Sequence, residues 1–200
     1  MFAHLRAAVV IFFLLSLVTG VGYPLLVTGI GQTLFPRQAQ GSLIQAEGAV
    51  RGSELIGQSF EGPEYLWGRL SATGPFPYNS ASSSGANLGP TNPALVDAVK
   101  ARVDALRAVD PENKAKIPVD LATASGSGLD PHISPAAAEY QVTRVAKARG
   151  ITPEDVRKII AKHTLARTLG ILGEPRVNVL LVNLELDALA GMHPAVGDGQ

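Results

Sequence analysis

The most informative stretch of the chain reads DLATASGSGLDPHISPAAAEYQVTRVAKARG and covers residues 120–150. Its alternating serines and glycines, Ser125 to Gly128, favour a tight turn with exposed backbone N–H groups. Ser134, which precedes a proline, is typical of a helix N-cap, and Gly150 is typical of the residue that follows a helix. The stretch therefore predicts a glycine-rich turn that leads into a helix ending at Gly150.

The flanking segments predict further regular structure. Asn92-Pro93 begins a helix with one apolar stripe that stops at Asp110-Pro111, and Thr152-Pro153 begins another. Residues 177–186, rich in Val and Leu, are a strand candidate, and short strand-like pieces occur between Gly48 and Phe60. Strands followed by helices and a final strand indicate an α+β domain.

Residues 62–93 have the composition of a loop, because Gly, Pro, Ser and Asn dominate them. A loop of that length in a small domain is usually functional or disordered. Four aromatic residues argue for order, since disordered segments normally lack them: Tyr65, Trp67, Phe76 and Tyr78. They either pack on the sheet or contact a partner, and we favour packing.

The N-terminus carries an apolar segment long enough to span a membrane. Between Arg6 and Arg37 the only ionisable residue is Tyr23, and Ala7 to Leu26 is dominated by apolar residues. A cleaved signal peptide is the alternative, but the apolar run is too long and no clear Ala-x-Ala site follows it. The sequence predicts a membrane anchor in residues 1–36, with its span at about 7–30, and an α+β domain in residues 37–200.

Small residues in the second half of the anchor, Gly20, Gly22 and Gly29, would let another helix approach closely. An irregular exit from the bilayer is the alternative, and Pro24 is expected to kink the helix or end it. The charge balance does not decide the orientation. The short N-terminal flank fits a cytoplasmic N-terminus, with the residues after about Leu34 on the outer side.

The composition excludes several classes of function. The chain has 17 basic and 17 acidic residues without a long charge block, so a nucleic-acid-binding arm is not expected. It has no cysteine, which excludes a disulfide framework and thiolate metal sites, and its four histidines lack metal-ligand spacing. We expect no metal site. Nothing resembles an oxygen cage for potassium, so an ion path would belong to another chain.

Two kinds of chemistry can be considered for the Ser/Gly turn. Its backbone amides could cradle a phosphate, but no lysine lies beside it and no Gly-x-x-x-x-Gly-Lys-Ser/Thr motif occurs, so a structural turn is the alternative. Ser127, Asp130 and His132 could form a hydrolase site. That arrangement lacks a Gly-x-Ser-x-Gly elbow, and Pro131 separates the acid from the histidine.

Several separate blocks, taken together, resemble the C subunits of the bacterial potassium-transporting Kdp ATPase, a P-type transport complex (the KdpC family). The blocks appear in the family's order and cover almost the whole chain: residues 52–58, 84–93, 125–134, 141–146 and 172–179. Two departures stand out. Leu70 replaces the usual Pro after Arg69, and Leu165-Ala166 replaces the usual Glu-Gly after Thr164, so any role of that glutamate cannot be carried over.

The resemblance implies an accessory, non-catalytic subunit of a high-affinity, ATP-driven potassium uptake pump in the bacterial inner membrane. Its implied partners are a channel-like potassium-binding subunit, a P-type ATPase subunit that hydrolyses ATP, and a small stabilising subunit. The family is described as a catalytic chaperone that raises the pump's affinity for ATP. The matching candidates for nucleotide contact are Ser125, Gly126, Ser127, Gly128, Asp130 and Gln141. ATP would then be the only cofactor, reached through the ATPase subunit.

The expected topology makes direct contact with cytoplasmic ATP hard to accept. We therefore expect the chain to assemble and stabilise the pump and to cap its outer ion entrance, with any effect on ATP transmitted allosterically. The alternative is a membrane-anchored extracytoplasmic binding protein or enzyme that acts alone. Co-purification with a P-type ATPase separates the two hypotheses.

Overall fold

The fold was obtained as a computed structural model, which describes residues 2–46 and 48–190. The chain divides into two compact units, Met1–Ser53 and Glu54–Gln200. The boundary at residue 36 expected from the sequence stays a prediction, and residues 191–200 of the predicted domain lie outside the described part. An α+β organisation is confirmed, with small sheets and a larger helical content.

The first unit consists of an apolar helical segment and a β-hairpin. Its elements are α1 (Phe2–Leu17), a π-helical segment (Val18–Gly22), α2 (Tyr23–Leu34), α3 (Pro36–Ala39), β1 (Leu43–Ala46) and β2 (Ala49–Ser53). The helix His4–Leu34 has a mean hydropathy of 2.3 and is long enough to cross a membrane, as predicted. The two strands pair antiparallel, with a bulge between Ile44 and Gln45.

Pro24 neither ends the helix nor leaves it purely α-helical. Because proline has no N–H and its ring collides with the carbonyl four residues earlier, a regular α-helix cannot run through it without distortion. The chain adopts a π-helical turn directly before it, in which the Tyr23 N–H donates to the Val18 carbonyl. The helix then continues to Leu34.

The second unit combines five helices with a three-stranded antiparallel sheet in its described residues. The helices are α4 (Pro93–Val109), α5 (Val119–Ala122), α6 (Pro135–Arg149), α7 (Pro153–Lys162) and α8 (Val179–Ala190). The strands are β3 (His132–Ile133), β4 (Thr164–Leu165) and β5 (Arg176–Asn178), in the order β3-β5-β4. The predicted caps are confirmed: the side chains of Asn92, Ser134 and Thr152 each accept a backbone N–H of the following helix.

The core of the second unit lies between α6, α7, α8 and the sheet. Val142, Val145, Val156 and Val177 are completely buried in it, together with Leu186. Gly150 ends α6 with a φ of 67°, a left-handed conformation that suits glycine. The resulting turn brings α7 back against α6.

The strand predicted for residues 177–186 is wrong in most of its length. Only Arg176–Asn178 is a strand, and the chain continues as α8. The buried residues of α8 recur at helical spacing: Val179, Leu180, Val182, Asn183, Leu186 and Asp187. Asn178 starts the helix by accepting the Leu181 N–H, so a polar cap and an i, i+3, i+4 pattern outweigh the strand preference of valine.

The strand-like pieces predicted up to Phe60 end earlier, because β2 stops at Ser53. Beyond it, the Glu54 carbonyl accepts the side-chain amide of Asn178, and the Gly57 N–H donates to the Leu129 carbonyl. These backbone groups therefore pair with the domain and not with a neighbouring strand.

The long loop is ordered, and three of its four aromatic residues pack as predicted. Trp67 is buried, Tyr65 lies against Phe60 with a ring-centroid distance of 5.1 Å, and the Tyr78 hydroxyl donates to the Arg69 carbonyl at 2.6 Å. Phe76 is the exception and is exposed.

Candidate functional site

The predicted site residues surround an extended segment of the loop, residues 66–71. Two side-chain amides pair with it as a neighbouring strand would. Gln141 accepts the Trp67 N–H at 2.8 Å and donates to the Trp67 carbonyl at 3.2 Å, and Asn183 makes the same two contacts with Leu66 at 2.8 and 3.0 Å. Helices α6 and α8 thus replace the missing β-partners of this segment.

The polar atoms of Gln141 are fully engaged inside the domain. Besides Trp67, its amide donates to the Ala137 carbonyl at 3.1 Å, and its oxygen accepts Arg144 Nη2 at 2.7 Å. The residue is 1% exposed. A glutamine offers two N–H donors and one carbonyl oxygen with two lone pairs, so these four contacts use its normal capacity.

Two arginines flank the ring of Trp67, whose backbone is paired with Gln141. Arg102 and Arg144 lie 4.9 and 5.1 Å from the ring centroid, within the range of cation–π attraction. Burial lowers the pKa of both guanidinium groups, that of Arg144 to about 10. Both remain charged at neutral pH, and each also donates to backbone carbonyls of the loop.

The Ser125–Gly128 turn uses its own side chains to satisfy its backbone. The buried Ser125 hydroxyl accepts the Gly128 N–H at 2.8 Å, and the Ser127 hydroxyl accepts the Leu129 N–H at 3.1 Å. The Ser125 N–H donates to the Leu70 carbonyl at 3.0 Å. Two of the four amides expected to meet a phosphate, those of Ser125 and Gly128, therefore already have partners within the domain.

Gly128 is the tightest position of this turn. Its φ is 69°, and a Cβ there would come within 2.5 Å of Thr73 Cγ2 and 2.6 Å of the Ser84 carbonyl oxygen. Its own carbonyl accepts the Ser71 hydroxyl at 2.7 Å. Only glycine fits, because the backbone conformation and the neighbouring loop both exclude a side chain.

Asp130 ends the turn and joins it to the extended segment. Its carboxylate accepts Arg69 Nη1 at 3.2 Å and the His132 N–H at 3.0 Å. Burial opposes its ionisation, but the hydrogen bonds from His132 and Arg69 outweigh that effect and hold the pKa of Asp130 below its usual value. Arg69 Nη2 also donates to the Ala124 carbonyl.

The structure brings the six predicted nucleotide-contact residues around one segment but gives them different environments. Ser125, Gly128 and Gln141 are buried, whereas Gly126 and Ser127 are exposed. Within residues 2–46 and 48–190, no hydrogen bond joins Ser127 to His132, although His132 Nδ1 lies 3.4 Å from Asp130. The hydrolase arrangement therefore lacks the contact between nucleophile and base.

Sequence reasoning missed Asn183 and the buried ion pair between Arg149 and Asp187, whose side chains are 1% and 5% exposed. Arg149 Nε donates to the Glu64 carbonyl, so this pair also fixes the loop. The available signal was the spacing of two polar residues, Asn183 and Asp187, four positions apart in an apolar run.

The membrane-helix glycines, Gly20, Gly22 and Gly29, divide into two faces. A helix turns by about 100° per residue, so Gly22 and Gly29 lie on one face and Gly20 lies about 180° from them. A Cβ added at Gly20 or Gly29 would meet nothing within 4 Å, and one at Gly22 would only touch the Leu17 carbonyl at 3.8 Å. The helix itself therefore does not require glycine at these positions.

Comparison with known proteins links this chain to one family. The model of the family described as "KdpC: K+-transporting ATPase, c chain" matches residues 5–188. A protein of Sorangium cellulosum named potassium-transporting ATPase KdpC subunit is 63% identical over 94% of this chain and 98% of its own length. Proteins with the same name from Herpetosiphon aurantiacus and Ralstonia nicotianae are 63% and 64% identical, over 93% and 92% of this chain and 95% and 91% of their own lengths.

Proposed function

Because the chain belongs to the KdpC family, the c chains of K+-transporting ATPases, we propose that it holds its pump together from the outer side of the cytoplasmic membrane. It is an accessory subunit of the Kdp complex, and ATP hydrolysis is carried by a partner subunit. The family match over residues 5–188, which includes both the anchor and the domain, is the observation that carries the proposal.

The proposed partners are a channel-like potassium-binding subunit, the ATP-hydrolysing subunit and a small stabilising subunit. The anchor would associate with their membrane helices, and the domain would cap the outer ion entrance. Anchor length supports the first role, since His4–Leu34 provides a single span. The engaged polar groups of the Ser125–Gly128 turn support a structural role for the domain.

The proposed topology has the N-terminus in the cytoplasm and the domain on the outer side of the inner membrane. Protease added to sealed right-side-out vesicles should digest the domain, and the same protease should leave it intact in inverted vesicles. Digestion only in inverted vesicles would overturn this topology. A cytoplasmic marker protein that stays intact in right-side-out vesicles serves as the control for sealing.

A second candidate role is direct nucleotide contact, which the sequence resemblance implies for Ser125, Gly126, Ser127, Gly128, Asp130 and Gln141. The exposure of Gly126 and Ser127 leaves part of this set accessible. We propose that any effect on ATP affinity is transmitted allosterically. Calorimetric titration of ATP into the detergent-solubilised chain should give no saturable heat at micromolar concentrations, and saturable binding that Ser127→Ala abolishes would establish direct contact.

The face bearing Gly22 and Gly29 is the proposed contact with a partner helix, because small residues allow close approach. Gly22→Leu should lower the recovery of the chain with its pump in mild detergent, without changing the thermal unfolding of the domain. Gly20→Leu, on the opposite face, is the matched control. Equal recovery of both variants with the wild type would remove Gly22 from the interface, and a loss confined to Gly20→Leu would assign the contact to the other face.

A further inference from the structure

A short hairpin extends from the sheet between β4 and β5 and ends in three adjacent apolar side chains. Thr168 and Leu172 form an antiparallel bridge, with N–H to carbonyl distances of 2.8 and 2.9 Å. Leu169, Ile171 and Leu172 are 85%, 75% and 57% exposed. Their combined apolar surface is on the order of 350 Å², a size at which surface patches are often functional. We call residues 168–172 the apolar tip.

The backbone of the apolar tip is unfavourable for the residue at its end. Leu169 and Gly170 have φ values of 55° and 77°, and the Ile171 N–H donates to the Thr168 carbonyl at 3.2 Å. This is a type I′ turn, whose first central position favours Asn or Gly. Leu169 therefore combines a strained backbone with an exposed apolar side chain, and neither property stabilises the domain.

The apolar tip is electrically neutral and rests on a fixed base. Residues 168–173 contain no ionisable group, and the flanking Arg167 and Glu174 form an ion pair at 2.7 Å, so these two charges cancel. The hairpin continues into β5, where Val177 is completely buried in the core. Leu165 in β4 adds further exposed apolar surface.

We propose that the apolar tip docks into an apolar, uncharged cleft of another subunit of the same pump, an inference that rests on the proposed assembly function. A second copy of this chain is a poorer occupant, because a stable dimer buries about 800 Å² per partner and the tip offers less than half of that. A partner within the pump can be bound through a smaller contact area because of the membrane anchor. The anchor already holds the chain beside the other subunits, so a small contact acts at high effective concentration.

A lipid surface fits the apolar tip less well than a protein cleft. Segments that bind the membrane interface usually carry Trp or Tyr, or a cluster of Lys and Arg that is attracted to anionic lipids. Residues 168–173 have neither feature. The neutral, branched side chains and the rigid base instead match the apolar centre of a protein interface.

The test separates docking from folding by a substitution that should suit the turn. Leu169→Asn places a favoured residue in the type I′ turn and removes the apolar group, so the unfolding temperature of the full chain should stay the same or rise. Recovery of the variant with the affinity-tagged pump from detergent-solubilised membranes should fall by about tenfold, as for a central interface residue. Val96→Asn, which replaces another exposed apolar residue on α4, is the matched control.

A photo-crosslinking residue, p-benzoyl-phenylalanine, in place of Leu169 identifies the occupant in native membranes. A crosslink to another pump subunit is expected, whereas crosslinks confined to lipid or to a second copy of this chain would overturn the proposal. Undiminished recovery of Leu169→Asn would also overturn it. If the wild-type chain itself fails to co-purify with the pump, the assembly function fails, and that result is distinguishable from failure of the tip alone.

Discussion

The Ser125–Gly128 turn and the apolar tip use the same backbone conformation in opposite ways. Gly128 has a left-handed backbone because the surrounding loop leaves no space for a side chain. Leu169 has a left-handed backbone although a side chain is present, and that side chain is 85% exposed. The Ser125–Gly128 turn is closely packed by other parts of the domain, whereas the apolar tip exposes side chains that do not pack against the domain.

The difference shows that a conspicuous sequence motif and an available binding surface need not coincide. A turn rich in serine and glycine suggests a phosphate-binding site. Here, however, the hydroxyls of Ser125 and Ser127 accept backbone N–H groups of the same turn and of the residue after it. The apolar tip has no motif, but its exposed side chains are free to be desolvated by a partner.

The largest effect is expected for Gly128→Val. Valine would be strained at a φ of 69° and would collide with Thr73 and the Ser84 carbonyl, so the free energy of unfolding should fall by about 3–5 kcal/mol. Chemical denaturation of the purified chain measures it. Gly126→Val is the control, because a Cβ at Gly126 meets nothing within 4 Å. Equal stability of the two variants would contradict the packed description of this turn.

A second substitution, Gln141→Leu, should also destabilise the domain. It leaves the Trp67 N–H and carbonyl without their partner and removes one contact of Arg144, so we expect a loss of about 2–3 kcal/mol. Thermal unfolding followed by near-UV circular dichroism of Trp67 would report it. Thr143→Leu, at an exposed position of α6, should change stability by less than about 0.5 kcal/mol. A fully stable Gln141→Leu variant would free this residue for a binding role.

Asp130 should make stability depend on pH at acidic values. Its folded-state pKa is depressed, so its contribution is present above the pKa of the unfolded chain and is lost as the pH falls from about 4 through the lower folded value. Asp130→Asn should lower the free energy of unfolding by about 1 kcal/mol at pH 7. Denaturation at a series of pH values should show the difference in stability between the variant and the wild type closing as the pH falls through the lowered folded-state pKa of Asp130.

The smallest expected change in the free energy of unfolding is an increase, unlike the decreases expected for the three preceding substitutions. Leu169→Gly relieves the left-handed backbone of the apolar tip, so the free energy of unfolding should rise by about 0.5 kcal/mol despite the greater entropy of glycine in the unfolded chain. Ile171→Gly, at a position outside the left-handed region, should lower it slightly. Destabilisation by Leu169→Gly would mean that the leucine side chain packs within the domain, which would contradict its exposed position.

Local signals in the sequence were reliable where a short-range interaction decides the structure. The caps at Asn92, Ser134 and Thr152, the αL glycine at Gly150 and the apolar span near the N-terminus depend only on neighbouring residues, and each is present as predicted. The family blocks likewise sufficed to identify an accessory pump subunit, because they depend on residue identity alone.

The conformation of residues 177–186 could not be decided in the same way. A run rich in Val and Leu suits a buried strand as well as a buried helix, and the choice depends on what surrounds it. Here Asn178 and Asn183 bind backbone groups more than a hundred residues away, at Glu54 and Leu66. Those contacts fix α8 against the long loop, and no local pattern contains them.

The sequence by itself determined the apolar helix long enough to span a membrane, the α+β character of the chain, the helix boundaries set by caps and the membership in a potassium-pump family. Tertiary structure decided which polar residues are already paired and which apolar residues remain exposed. The side-chain oxygen of Gln141 already accepts hydrogen bonds from Trp67 and Arg144. The Leu169 side chain, by contrast, remains exposed on a residue with a left-handed backbone. The physical reason is that hydrogen-bond satisfaction and desolvation depend on groups distant in sequence, whereas capping and hydrophobic span depend on near neighbours.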